Sequence, residues 1–378
     1  MLQLLLGGSG SGKTTLLYQR IRARAEKGEK SILLVPEQFT SSTEGRIYRE
    51  LGDALSGMVE SFSFTSLAEK ILSTEGGAAV QTLSDAGRAV LVRRALEELQ
   101  DNVHYYHRHR RSAAFCQMAA QTIDELKSAG LSGQQLAQLA GACGAESGKL
   151  SELALIFQGY ETLLARSGMD PSDRLELAGA RLEEALARHS LPEFLRDRAV
   201  FIDEFDTFNA PKKRLLGAML AALPSVTVAL CDDGAPLLPG DLSLFSGAKQ
   251  VAAQLRQLAR KNGAEVAVPQ LLRKDLRHRN APGLAAVAEL LETGSCTADA
   301  PAGEVRLFAA PSREEEARAA VGAVRRLMRQ GVRCGKIAVV CRDIAKYRAA
   351  VRYEFRMAEI PLYCDEPTTP EFSAPATA

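Results

Sequence analysis

One octapeptide near the start limits the fold more than anything else in the chain. Gly7-Gly8-Ser9-Gly10-Ser11-Gly12-Lys13-Thr14 fits the pattern G-x-x-x-x-G-K-[ST]. Glycines allow a backbone curl in which successive N–H groups converge on one phosphate. The context suits that use. An apolar run, Leu2 to Leu6, reads as a buried strand ahead of the loop. A helix is expected from Lys13 to about Glu26, with Gly28 just past its end. Ser31 to Val35 reads as a second buried strand, stopped by Pro36. Strand, loop, helix and strand make a βαβ unit, which predicts a parallel sheet with helices on both faces. Val59 to Phe64 reads as a further short strand leading into a helix.

The octapeptide assigns Gly7, Gly8, Ser9, Gly10, Ser11, Gly12, Lys13 and Thr14 to a nucleoside triphosphate, with Mg²⁺-ATP the expected ligand. Lys13 would reach the β- and γ-phosphates, the N-terminus of its helix would add partial positive charge, and the Thr14 hydroxyl would join the Mg²⁺ shell. Such a site needs an acid from another strand. Val200-Phe201-Ile202-Asp203-Glu204 offers one: Asp203 for the metal, and Glu204 to orient or deprotonate water. A surface acidic pair after a strand is the plain alternative.

From about Ser84 to His189 strand signals nearly vanish. Apolar residues recur at helical spacing in Val90, Leu91, Ala95, Leu96, Leu99 and again in Leu153, Ile156, Phe157, Tyr160, Leu164. An all-helical insertion into an α/β domain is the expectation. Sheet signals return at Ala199 to Ile202 and at Val226 to Leu230, the latter followed by Asp232 and Asp233. A second α/β unit is expected from Val305 to Phe308, through a helix with Val321, Val324 and Leu327, to a strand at Ile337 to Val340. The expected domains are therefore 1–83 and 196–302 for the first α/β unit, 84–195 for the insertion, and 303–378 for a second unit that is incomplete. Pro367 to Ala378 fit no packed element, and the chain is expected to stop inside a domain.

Charge is balanced, 47 Lys and Arg against 46 Asp and Glu, so a nucleic-acid surface must be a local patch. The densest one is His104-Tyr105-Tyr106-His107-Arg108-His109-Arg110-Arg111. Arg108, Arg110 and Arg111 could neutralise phosphates while Tyr105 and Tyr106 stack on bases. A solvated helix face, or a contact to another subunit, is the alternative. The seven cysteines include no C-x-x-C, which speaks against a disulfide framework and against a zinc or iron–sulfur site in these residues. No apolar run suits a membrane span, no signal peptide is read, and a cytoplasmic location is expected.

Several segments resemble a known family. Asp203-Glu204-Phe205-Asp206-Thr207-Phe208-Asn209 resembles the DE-x-Q-D-T segment of superfamily 1 helicases related to UvrD. Ser61 to Ala68, Asp170 to Leu175, and Ile337 to Arg342 resemble further motifs of that class in the expected order. Leu34-Val35-Pro36-Glu37-Gln38-Phe39-Thr40, the N-terminal glycine loop, and Ile360-Pro361-Leu362-Tyr363-Cys364-Asp365 resemble the AddB subunits of bacterial AddAB helicase–nucleases. The resemblance implies a P-loop NTPase (RecA-like) fold and an AddA-type partner. It implies work on DNA ends in double-strand break repair by homologous recombination. Arg342 would be a finger reaching the γ-phosphate, or else a solvated Arg after a strand. Phe62 and Phe64 sit where related motors touch single-stranded DNA; core packing of a strand is the alternative, and the one the apolar pattern favours. Three departures imply a degraded motor. Only Met1 to Leu6 stand ahead of the loop, where active motors carry a Gln segment. Asp206 replaces the Gln of the acidic motif, and no Gln follows Asp233. The remaining motor motifs, the nuclease domain and the iron–sulfur cluster would lie past Ala378. Two alternatives stay open: a working UvrD-like motor, and a non-motor P-loop kinase or signalling NTPase.

Overall fold

The structure, a computed structural model, describes residues 1–77, 81–144, 147–296 and 304–365. Pro367 to Ala378 lie outside the described residues. The chain divides into two compact units, Met1–Ala300 and Pro301–Ala378.

The first unit is α/β. Among the described residues its sheet has six strands: β1 (Leu2–Gly7), β2 (Ser31–Leu34), β3 (Val59–Phe62), β4 (Ala199–Ile202), β5 (Ser225–Cys231) and β6 (Gln270–Leu272). Their order is β3-β2-β4-β5-β1-β6 and every pairing is parallel. The two-residue period of a strand splits its side chains between two cores. Leu2, Leu4 and Leu6 join Ile32, Leu34, Val200, Ile202, Val226 and Val228 on one face. Leu5, Leu33, Phe201 and Ala229 join Leu17, Ile21 and Ile47 on the other. Both faces are covered, which is why these strands read as continuous apolar runs.

The helices of this unit are α1 (Lys13–Ala25), α2 (Thr40–Leu51), α3 (Asp53–Ser56), α4 (Phe64–Glu75), α5 (Asp85–Glu98), α6 (Ala113–Ser128), α7 (Gly133–Ala140), α8 (Ser147–Ser167), α9 (Pro171–Ala187), α10 (Ala210–Ala222), α11 (Ser246–Lys261) and α12 (Pro282–Thr293). Strand β3 is shorter than the sequence suggests. Ser63 accepts a hydrogen bond from the Ser66 amide in a capping box, so Phe64 opens α4 instead of closing a strand. Helices α5, α6 and α8 close over a core of their own that includes Leu91, Leu96, Phe115, Ile123, Phe157 and Tyr160. Helix α9 instead gives Leu175, Ala178 and Leu182 to the sheet core.

A buried ionic knot ties the two cores together. Lys127 on α6 donates to Asp170 at 2.7 Å and to Asp173 at 2.8 Å. The Tyr160 hydroxyl on α8 donates to the other Asp170 oxygen at 2.6 Å. Asp170 is 1% exposed and precedes α9, whose first turn contains Asp173.

The second unit holds α13 (Arg313–Arg329) and α14 (Ile344–Met357), packed through Val321, Val324, Val351 and Phe355. The strands expected at Val305 to Phe308 and Ile337 to Val340 are not formed among the described residues. Leu307 and Val340 are fully or almost fully exposed. An isolated pair of short parallel strands is too little to be stable, and the pattern alone supplies no neighbours.

Replacing Lys127 with Ala takes from Asp170 and Asp173 the ammonium that donates to both of them. The expected cost is about 3–5 kcal/mol, read as a loss in chemical-denaturation midpoint; an unchanged midpoint would show the knot to be decorative.

Candidate functional site

The glycine loop runs between β1 and α1, over Gly8 to Gly12. Gly12 caps α1 at φ +90° and ψ 16°, a left-handed conformation that a side chain resists, and no side chain caps the helix. The first N–H groups of α1 have no acceptor within the helix, as at every helix start. At Gly7 the constraint is contact: an added Cβ would lie 2.7 Å from the Leu272 carbonyl oxygen on β6. Lys13 folds back over the loop, its Nζ donating to the Gly7 oxygen at 2.7 Å and the Gly8 oxygen at 2.8 Å. Burial pushes its pKa below the ordinary lysine value, against the pull of Cys231 and Asp203. The Ser11 hydroxyl is buried inside the loop without a hydrogen-bond partner.

Asp203 and Glu204 follow β4. The Asp203 amide donates to the Leu34 carbonyl at 3.1 Å, which seats it against β2. Its carboxylate is 6% exposed and accepts from the Thr14 hydroxyl and, at 3.0 Å, from the Glu204 amide. Burial raises the Asp203 pKa against these bonds and against the charges of Lys13 and Arg46. Glu204 adopts φ +65°, an uncommon backbone for a residue with a side chain. Its pKa is also raised, by burial first and then by Asp203.

These residues share one cavity of about 500 Å³. Ser9, Gly10, Gly12, Lys13, Thr14, Asp203, Glu204 and Asp206 line it. Among the described residues no three of His, Cys, Asp and Glu come together as a metal cage. A cation here would therefore take Thr14 and Asp203 and complete its shell from phosphate and water, which suits Mg²⁺. A helix start, a lysine and a hydroxyl beside a carboxylate are groups that could hold a polyphosphate with its cation, and Glu204 lines the same cavity.

Sequence reasoning missed several residues at this cavity. Arg46 comes from α2, with its guanidinium carbon 4.9 Å from the centre of the Tyr18 ring. Arg277 comes from the turn after β6 and donates to the Ser9 hydroxyl at 3.1 Å. The α2 pattern held a clue to the first, since Arg46 precedes Ile47 on the side of the helix that buries Thr43, Ile47 and Leu51. Nothing local marked Arg277, because the three-residue strand β6 is too short to show a period.

Other expected site residues fall elsewhere. Phe64 is 2% exposed and packs edge-on against Phe205 and Phe208, so its ring serves the core and is closed to DNA. The basic run is no helix face. It is a turn with a single 3₁₀ stretch at His107–His109. Glu152 on α8 accepts from the amides of His104, Tyr105 and Tyr106. Tyr105 is 60% exposed, while Tyr106 leans on Phe115. Arg108 and Arg111 are exposed and Arg110 half-buried. Arg342 lies exposed in the second unit after a segment with no regular structure; in the first unit the cavity arginines are Arg46 and Arg277. Asp232 caps its own turn through the Gly234 amide, and Asp233 pairs with Lys249.

A family model described as "ADDB, N-terminal" matches residues 4–288. The chain belongs to the AddB N-terminal family. Proteins named as a subunit of an ATP-dependent helicase/deoxyribonuclease are similar to it. That of Desulforudis audaxviator is 33% identical over 96% of this chain and 32% of its own length. That of Symbiobacterium thermophilum is 32% identical over 97% and 32%, and that of Moorella thermoacetica 32% identical over 96% and 32%. The chain thus spans about a third of the length of these relatives. No described helix is long and apolar enough to cross a membrane.

In this AddB-family site Asp203 is held above its unfolded pKa, so its contribution to stability is full below the unfolded value and is lost as pH rises through the folded one. Asp203→Asn should therefore melt higher than wild type at neutral pH without nucleotide, the gap closing as pH falls into the carboxylate range. The same variant should no longer gain melting temperature from Mg²⁺ with ATP. A variant that melts lower at neutral pH would contradict this linkage.

Proposed function

We propose that this chain is the nucleotide-binding front portion of an AddB-type subunit, with a RecA-like P-loop fold and Mg²⁺-ATP as its ligand. The carrying observation is the meeting of Lys13, Thr14, Asp203 and Glu204 around one cavity at the carboxyl ends of parallel strands. In this reading Lys13 leaves the Gly7 and Gly8 carbonyls for phosphate oxygens, and the loop and α1 amides take the rest of that charge. Thr14 and Asp203 would hold Mg²⁺, which would supply charge to neutralise the phosphate oxygens. Glu204 orients water.

The names of the relatives support a role as one subunit of a helicase/deoxyribonuclease. The partner we infer is an AddA-type subunit, the substrate is DNA ends in double-strand break repair by homologous recombination, and the setting is cytoplasmic. Asp206 in place of Gln at the cavity supports a motor that binds ATP but turns it over weakly. The retained Glu204 favours the second reading, an active UvrD-like motor.

Fluorescent-nucleotide titration tests the site. Lys13→Ala should weaken ATP binding about 10- to 100-fold, the worth of charge-assisted bonds to phosphate. Turnover by wild type should stay slow and rise little with DNA; rapid DNA-stimulated hydrolysis would favour the active motor instead.

The basic turn is proposed as a contact to duplex DNA. Joint replacement of Arg108, Arg110 and Arg111 by Ala should lower the slope of log affinity against log salt by about 2–3. An unaltered slope would assign the turn to a protein partner.

A further inference from the structure

The cavity has an arginine at each end. Arg277 sits at the glycine end, bonded to Ser9. Arg46 sits at the acidic end. It also lines an adjoining cavity of about 510 Å³, bounded by Thr14, Asp203, Glu204 and Asp206 and by none of the loop glycines. The two cavities meet at these shared residues. Among the described residues no carboxylate forms an ion pair with Arg46. Its guanidinium lies over Tyr18, whose ring is 5% exposed on α1, the helix that the glycine loop begins. Stacking of this kind restrains a long flexible side chain and leaves its N–H fork available.

The two ends of the cavity meet different parts of a nucleotide. A loop of this pattern takes the phosphates that tri- and diphosphates share, while the side with Thr14, Asp203 and Glu204 would face the last phosphate of a triphosphate, where a cation would supply offsetting charge. Positive charge at the glycine end therefore acts on both nucleotides. At the acidic end Asp203 and Glu204 would repel a terminal phosphate unless a cation offsets them, and Arg46 is the arginine placed there. A planar guanidinium can also grip two oxygens of one phosphate.

We infer that Arg46 is the residue through which this site distinguishes a nucleoside triphosphate from a diphosphate. The inference rests on the nucleotide-binding reading above and deepens it.

Competition against a fluorescent triphosphate, with Mg²⁺ present, gives separate affinities for ATP and ADP without any need for turnover. Arg46→Met keeps an apolar stem over Tyr18 and removes the charge. It should weaken ATP about tenfold and leave ADP unchanged, so that the preference for ATP collapses. Arg46→Lys should restore part of that preference. Arg49→Ala, one turn further along α2 and lining only the outer cavity, should change neither affinity. Melting curves without nucleotide identify any variant that fails to fold. Equal weakening of ATP and ADP by Arg46→Met would make Arg46 a prop for Tyr18 and overturn the proposal, as would no effect on either. Wild type that binds neither nucleotide, with Lys13→Ala indistinguishable from it, would remove the underlying reading and this proposal with it.

Discussion

The parallel register of three strands governs the site. β5 lies between β1 and β4, and the pairing brings Gly7 level with Cys231 but Ile202 level with Val228. β4 therefore ends three residues short of β1, measured along β5. At a strand's rise this is a step of about 10 Å. The step is what makes a cavity. Its upper lip is the glycine loop after β1, its lower lip is Asp203 after β4, and Ala229 and Cys231 of β5 line the space between. The order of the sheet adds the direction of opening. From β1 the chain crosses to β2 on one side, while from β5 it crosses over β1 to β6 on the other. Chains that part in this way leave a crevice at the carboxyl ends of the strands.

The crevice holds its ionisable groups at a cost. Burial pushes Lys13 down and both Asp203 and Glu204 up, so each prefers less charge than it would carry in water. Among the described residues Lys13 donates to two carbonyls of its own loop. Glu204 is held in a left-handed backbone, and the Ser11 hydroxyl is buried without a partner. Such features cost stability and cluster where binding or chemistry occurs. In the proposed reading a polyanion with a divalent cation would answer them together, giving the lysine an anion and the carboxylates a cation.

Much of this was legible in local sequence, and what was missed has a physical pattern. The βαβ unit could be read because β1 and β2 are buried on both faces and glycines mark the loop between them. Asp203 and Glu204 could be read because they follow a strand as apolar as Ala199 to Ile202. Arg46 and Arg277 could not be read, since they reach the cavity by tertiary folding from α2 and from a three-residue strand. Phe64 was ambiguous between site and core until Ser63 was seen to cap α4, which turns the ring inward against Phe205 and Phe208. The apolar runs at Val305 and Ile337 show the opposite failure. Their pattern is that of strands, but a strand exists only with a neighbour, and periodicity says nothing about neighbours.

The helical part raises a different question, how an exposed basic turn can be ordered at all. A stretch with three arginines and three histidines repels itself and has little to bury. Here one carboxylate does the ordering. Glu152 accepts three successive backbone amides, from His104 to Tyr106, and so fixes the turn through main chain alone. Val103 anchors one side in the helical core, and Tyr106 on Phe115 anchors the other. The side chains of Tyr105, Arg108 and Arg111 remain outside these bonds. A backbone held in place with free charged tips suits a contact to phosphates, because less order has to be imposed on binding. The same helices are locked to the sheet by Lys127, Asp170 and Tyr160, so the basic turn and the cavity beside the glycine loop belong to a single folded unit.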